Sequence, residues 1–150
     1  MKKIIITILF ISKMAIAQKQ DHMHFEYAAK KIAEKKYEVH IDAVIDQGWH
    51  IYAMEQPKEA ISIPTKISFT KNPLIVFDGK LKELGIKEKY VDPNAGITQF
   101  YYSEKVGYEQ MFKLKASAKT NLSGTITYQA CNDEMCLPPK TVAFKIDIQE

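Results

Sequence analysis

The sequence predicts an all-β fold, an antiparallel immunoglobulin-like β-sandwich. Three observations point there. Several segments alternate apolar and polar residues with a period of two, polar or glycine-bearing turns separate them, and no long stretch carries a helical period. About eight short strands result, a number suited to a sandwich, with a jelly roll or small barrel as the alternative.

The first residues, MKKIIITILFISKMAIAQ, read as a leader. Lys2 and Lys3 precede a short apolar run, and Ala15-Ile16-Ala17 is a small-x-small cleavage signature, so residues 1–17 are expected to be a signal peptide. The run is too short to span a bilayer, which takes about 20 apolar residues. Residues 18–150 are expected to form one exported domain without direct membrane insertion.

The elements then follow in order. Residues 18–24 read as a frayed polar start. Phe25, Tyr27 and Ala29 share one face of a first extended segment. Tyr37, Val39, Ile41, Ala43 and Ile45 alternate with mostly polar neighbours, the pattern of a half-buried strand. Asp46-Gln47-Gly48 is a turn, and Trp49-His50-Ile51-Tyr52 starts the return strand. Ile61 and Ile63, then Ile67 and Phe69, mark short extended pieces. Leu74–Phe77 is a strand closed by Asp78-Gly79, and 80–90 is either a helical turn or a charged strand. Residues 92–96 read as a loop. Gln110, Phe112, Leu114 and Ala116 alternate with lysines; Asn121-Leu122-Ser123-Gly124 is a turn; Ile126, Tyr128 and Ala130 alternate with Thr and Gln; Val142, Phe144, Ile146 and Ile148 complete the set.

Charge narrows the partners. The whole chain has a net charge of +3, but the leader alone carries Lys2, Lys3 and Lys13 and no acid, so the exported part is neutral. Every basic residue besides the histidines is lysine. A neutral domain without the bidentate guanidinium is a poor match to nucleic acid, so no nucleic-acid partner is expected.

The informative stretch is TITYQACNDEMCLPPKTVAFKIDI. A strand runs into Cys131, four residues separate it from Cys136, and Leu137-Pro138-Pro139 leads into the last strand. The prolines donate no ladder hydrogen bonds and hold the exit extended. Two cysteines in an exported chain can form one disulfide. Closing so short a loop stabilises by only about 2 kcal/mol in the chain-entropy model, which suits a redox pair and is also compatible with a passive staple. The residues alone leave both open. Two thiolates with distant histidines do not match a zinc spacing, so no resident metal and no cofactor is expected. His22-Met23-His24 offers imidazole and thioether donors, so a copper-handling protein is a further alternative. Phe100 and Tyr101 read equally as core or strand-end aromatics, and His50 beside Trp49 reads as lining a groove. Neither a serine-histidine-acid spacing nor a phosphate loop is present.

YQACNDEMCLPPKTV resembles the second half of the N-terminal periplasmic domain of the thiol–disulfide interchange protein DsbD. Gln99-Phe100-Tyr101 is similar to that family's cap loop, and Gly48-Trp49-His50-Ile51-Tyr52 to its glycine-aromatic-x-x-tyrosine strand. The resemblance covers residues 25–148. It implies an immunoglobulin-like fold and a redox pair, Cys131 and Cys136, with Cys136 as the sulfur that forms mixed disulfides. It also implies Phe100 and Tyr101 as the cap, and Trp49 and Tyr52 as the wall of the site. The implied activity is protein-disulfide reduction in the periplasm, with electrons taken from a membrane-embedded thiol–disulfide carrier and given to thioredoxin-fold proteins. The chain departs from the family in two places. Its cysteine loop is one residue shorter than usual, and Thr98 and Gln99 stand where acids precede the cap aromatics. As a stand-alone exported chain it is expected to draw electrons from another chain. The competing implication, from the residues alone, is a secreted binding module with a structural disulfide.

Overall fold

The computed structural model describes residues 21–148; the expected signal peptide, residues 1–17, lies outside them. Among the described residues eleven strands make three antiparallel sheets. The first joins β1 (Met23–Ala33), β2 (Lys36–Ile45), β8 (Lys105–Leu114) and β5 (Ile75–Gly85) in the order β1-β2-β8-β5. The second is β11 (Lys140–Ile148), β9 (Thr120–Tyr128) and β4 (Lys66–Phe69), in the order β11-β9-β4. The third is β10 (Ala130–Cys131), β3 (His50–Tyr52), β7 (Ile97–Tyr102) and β6 (Glu88–Asp92), in the order β10-β3-β7-β6. Among the described residues there is no helix, and none long and apolar enough to cross a membrane. The all-β immunoglobulin-like sandwich is the fold.

The alternating patterns are the reason. Tyr37, Val39, Ile41, Ala43 and Ile45 of β2 all face the core, as do Val106, Tyr108, Phe112 and Leu114 of β8. Leu122, Ile126 and Tyr128 of β9 and Phe144, Ile146 and Ile148 of β11 meet them from the other layer. Aromatic pairs join the layers. Tyr27 stacks on Phe144 with centroids 5.6 Å apart, Phe25 tilts on Tyr128 at 5.3 Å, and Phe69 meets Phe77 at 4.8 Å. Burying such side chains contributes about 1.5–3 kcal/mol each, the dominant favourable term here.

Three details differ from the expected strands. Asp78-Gly79 does not end its strand. It forms a bulge, with Gly79 at φ +79°, and β5 continues to Gly85 in renewed register with β8. Of the two readings of segment 80–90 the charged strand holds, with β5 ending at Gly85 and β6 starting at Glu88, while Asn121-Leu122-Ser123-Gly124, which read as a turn, lies inside β9 with Leu122 in the core. The polar start at 18–24 also becomes strand from Met23, because β2 offers an edge from Tyr37 to Ile45 and Met23 has a core position to fill.

The chain leaves the β11-β9-β4 sheet at Gln129 and enters the third sheet as β10. This change of sheet carries the cysteine loop away from the closed core and lays it beside β3.

Candidate functional site

The cysteines sit across a β-hairpin from one another. Leu137 N–H donates to the Ala130 carbonyl and Asn132 N–H to the Met135 carbonyl, both at 2.9 Å. Between these bonds lies Cys131 opposite Cys136, a non-hydrogen-bonded pair. Such pairs bring the two chains closest and point both side chains to one side. Their Cα atoms are 4.0 Å apart and the sulfurs are bonded. Asn132 shapes the loop, its side-chain oxygen accepting from the N–H groups of Glu134 and Met135 at 2.9 and 2.7 Å. The Gln129 amide donates to the Leu137 carbonyl and fixes the exit before the two prolines.

The two sulfurs are not equivalent. Cys131 is 1 % exposed, whereas Cys136 is exposed. An incoming thiolate must approach a disulfide in line with its bond. Access therefore favours attack at Cys136, with Cys131 as the leaving group.

Two grooves flank the hairpin. The first, about 550 Å³, is lined by Trp49, His50, Tyr52, Glu88, Tyr101 and Asp133, among others. The second, about 380 Å³ and more apolar, lies under Met135, Leu137 and the prolines. Trp49 borders both, and its indole stacks flat on His22 with centroids 3.9 Å apart.

The strand registers decide which aromatics face the cysteines. His50 pairs with Cys131, Tyr52 with Tyr101, and Tyr101 with Glu88. Cross-strand partners share a face and successive residues alternate. Cys131, His50, Tyr52, Tyr101 and Glu88 therefore lie on one face of the third sheet. Ala130, Ile51, Phe100 and Tyr102 lie on the other.

Phe100 and Tyr101 thus occupy opposite faces of strand β7, not a loop. Of the two expected cap aromatics only Tyr101 faces the cysteine side. Phe100 packs against the core, with the Lys87 ammonium 5.9 Å from its ring centroid. Its backbone is clamped by Gln56, which accepts from the Phe100 N–H and donates to the Phe100 carbonyl. The cap expectation came from the family resemblance; by themselves Phe100 and Tyr101 read as core or strand-end aromatics, and they stand within a strand. Here β3 pairs with Tyr101 and Tyr102 on one side, and β6 pairs with Phe100 and Tyr101 on the other. Tyr52 is buried and its carbonyl accepts from Thr65; Trp49 is half-buried.

His50 is a site residue that sequence spacing alone undervalued. Its ring lies 5.4 Å from Tyr52, edge-on, and 4.9 Å from Tyr101. Burial holds its pKa below the ordinary value, against the opposing pull of Asp133 and Glu88. Burial also raises the Tyr101 hydroxyl pKa, with Glu88 and Asp133 adding to the rise. The signal available in the sequence was only its place in Gly48-Trp49-His50-Ile51-Tyr52.

His22-Met23-His24 does not form a donor set. Met23 turns into the core, while His22 and His24 point the opposite way, as a period-two strand requires. His22 is taken up by Trp49 and by Asp46, whose carboxylate lies 3.1 Å from Nδ1.

No curated protein matches the chain. Among solved structures it is similar to the N-terminal periplasmic domain of ScsB from Proteus mirabilis, at 16% identity and TM-score 0.58, covering 87% of this chain and 47% of that one. The chain thus spans about half the length of that ScsB domain. The reduced DsbD N-terminal domain of Neisseria meningitidis aligns at 18% identity and TM-score 0.51, covering 84% and 86%. A structure of the complex between the DsbD N-terminal and PilB N-terminal domains of Neisseria meningitidis aligns at 19% identity and TM-score 0.50, covering 83% and 80%. At these identities the likeness is one of fold. The family assignment comes from the sequence match over residues 16–148, and on it this chain belongs to the family of the N-terminal domain of the thiol:disulfide interchange protein DsbD.

Proposed function

We propose that the chain is a periplasmic thiol–disulfide exchange module, a protein-disulfide reductase component. It passes electrons from a membrane-embedded thiol–disulfide carrier to thioredoxin-fold proteins. The observation that carries this reading is the unequal pair, with Cys136 open to a visitor and Cys131 buried behind it. In this reading residues 1–17 direct export and residues 18–150 are the working domain.

A carrier thiolate attacks the Cys136 sulfur and expels Cys131 as thiolate; the carrier's second thiol then resolves the mixed disulfide and leaves the pair reduced. Reduced Cys136 next attacks a disulfide of a thioredoxin-fold protein. Cys131 displaces that protein as a dithiol and regenerates the Cys131–Cys136 bond. Tyr101, Tyr52 and Trp49 form the wall a partner meets; Phe100 packs on the opposite face of β7. The exposed acids Asp133 and Glu134 disfavour a resting thiolate, so the free thiol reacts slowly until a partner docks.

Trapping tests the proposal. With Cys131→Ser, periplasmic extracts are expected to yield thioredoxin-fold proteins linked through Cys136, and with Cys136→Ser none. A pair whose reduction potential lies far below the glutathione range, and which exchanges with no thioredoxin-fold protein, would instead make the bond a structural staple.

A further inference from the structure

We propose that His50 is the proton acceptor for Cys131 in the step that closes the disulfide, an inference that rests on the exchange function proposed above. The geometry points to it in three ways. His50 is the direct cross-strand partner of Cys131 between β3 and β10, so both side chains leave the same face of the sheet. Directly opposed residues have Cβ atoms about 4.5–5.5 Å apart, within reach of an imidazole. Cys131 is 1 % exposed, so little solvent reaches its thiol to take the proton. The imidazole is also held in place, edge-on to Tyr52 from its own strand and tilted on Tyr101 from β7.

The groups around it do not substitute for it. Glu88 of β6 accepts from the Ser103 hydroxyl and interacts with the Tyr101 hydroxyl, and Asp133 of the hairpin is exposed. Tyr90 and Asp92 line the same groove farther along β6, and among the described residues no lysine lines it. Burial keeps the imidazole neutral near neutral pH, the form that accepts a proton.

In the step, Cys136 is bonded to a sulfur of the partner protein. Neutral His50 takes the Cys131 proton, and the thiolate attacks the Cys136 sulfur. The Cys131–Cys136 bond forms as the bond from Cys136 to the partner breaks. The electron pair leaves on the partner sulfur, which takes a proton from the imidazolium or from water. The partner disulfide has then gained two electrons and the cysteine pair has lost them.

Stopped-flow reaction of the reduced protein with 5,5′-dithiobis(2-nitrobenzoate) separates the steps. The first nitrothiobenzoate is released when the Cys136 thiolate attacks the reagent disulfide, and the second when Cys131 attacks the Cys136 sulfur and closes the bond. His50→Phe, which keeps an aromatic ring between Tyr52 and Tyr101, is expected to leave the first phase within about twofold and slow the second about 10-fold or more. It is also expected to abolish the rise of the second phase in the histidine pH range. A second phase unchanged in rate and pH profile overturns the proposal. Nuclear magnetic resonance of the unaltered protein gives a measurement free of mutation. The His50 ring is expected to titrate at different midpoints in the disulfide and dithiol forms, and identical midpoints overturn the role. If the unaltered protein releases no second equivalent and Cys131→Ser traps no protein, the exchange function falls with it. If only the His50 measurements fail, the exchange function stands without this residue.

Discussion

At the residue scale, one position in each cysteine's surroundings sets its behaviour. Asn132 folds the loop so that Cys136 comes back opposite Cys131, and His50 closes the far side. The burial of His50 has a consequence for stability. Its pKa lies below the ordinary 6.5 in the folded protein, with burial as the main cause. Above that value both folded and unfolded chains carry a neutral imidazole and the contribution is fully present. As pH falls through 6.5 toward the lower folded value, the unfolded chain takes its proton first and folding loses stability. The thermal midpoint of the oxidised protein is therefore expected to drop between about pH 7.5 and about pH 5.5, and His50→Phe is expected to make that drop shallower. Superimposable profiles for the two proteins would mean that His50 is not desolvated.

At the scale of elements, β9 is the strand to which the site is anchored, since it runs through Gln129 into β10. Its central Gly124 pairs with Phe144 of β11 and Phe69 of β4. A methyl group there would stand 2.6 Å from the Phe144 ring and nearer still to the Ser68 carbonyl oxygen. The Phe144 ring covers the glycine and in turn supports Tyr27 and Phe69. Gly124→Ala is expected to destabilise the fold by about 1–3 kcal/mol through overpacking. Chemical denaturation checks this, and a change under about 0.5 kcal/mol would show that β4 and Phe144 shift freely.

At the scale of the molecule, the core and the disulfide are separate supports. Two packed layers hold the sandwich, and the bond closes only a short hairpin with a sequence separation of 5. Reduction is expected to cost about 2 kcal/mol and leave the sandwich folded. In urea this appears as a midpoint lowered by about 1 M, given slopes of about 1–3 kcal/mol/M. An exchange module needs this independence, because its dithiol form must survive long enough to meet a partner. A reduced protein that unfolds outright would assign the bond to structure.

The sequence by itself determined the strands that bury one face, because period-two alternation is a local property of an extended backbone. The core residues of β2 and β11 were legible for that reason, as were Phe112 and Leu114 of β8, Ile126 and Tyr128 of β9 and the cysteine hairpin with its prolines, whereas Val106 and Tyr108 stood outside any assigned strand and Leu122 lay in a stretch that read as a turn. The β5 bulge was not, since a glycine at positive φ reads as a turn, and 80–90 stayed open between helical turn and strand, since an exposed strand has no buried face to alternate. Nor were the relations across the site. That Tyr101 faces the cysteines while Phe100 turns away, that His50 stands opposite Cys131, and that one sulfur is covered while the other is open were decided only by the tertiary structure. Each depends on registers between strands far apart in the chain, and a shift of one residue would reverse every face.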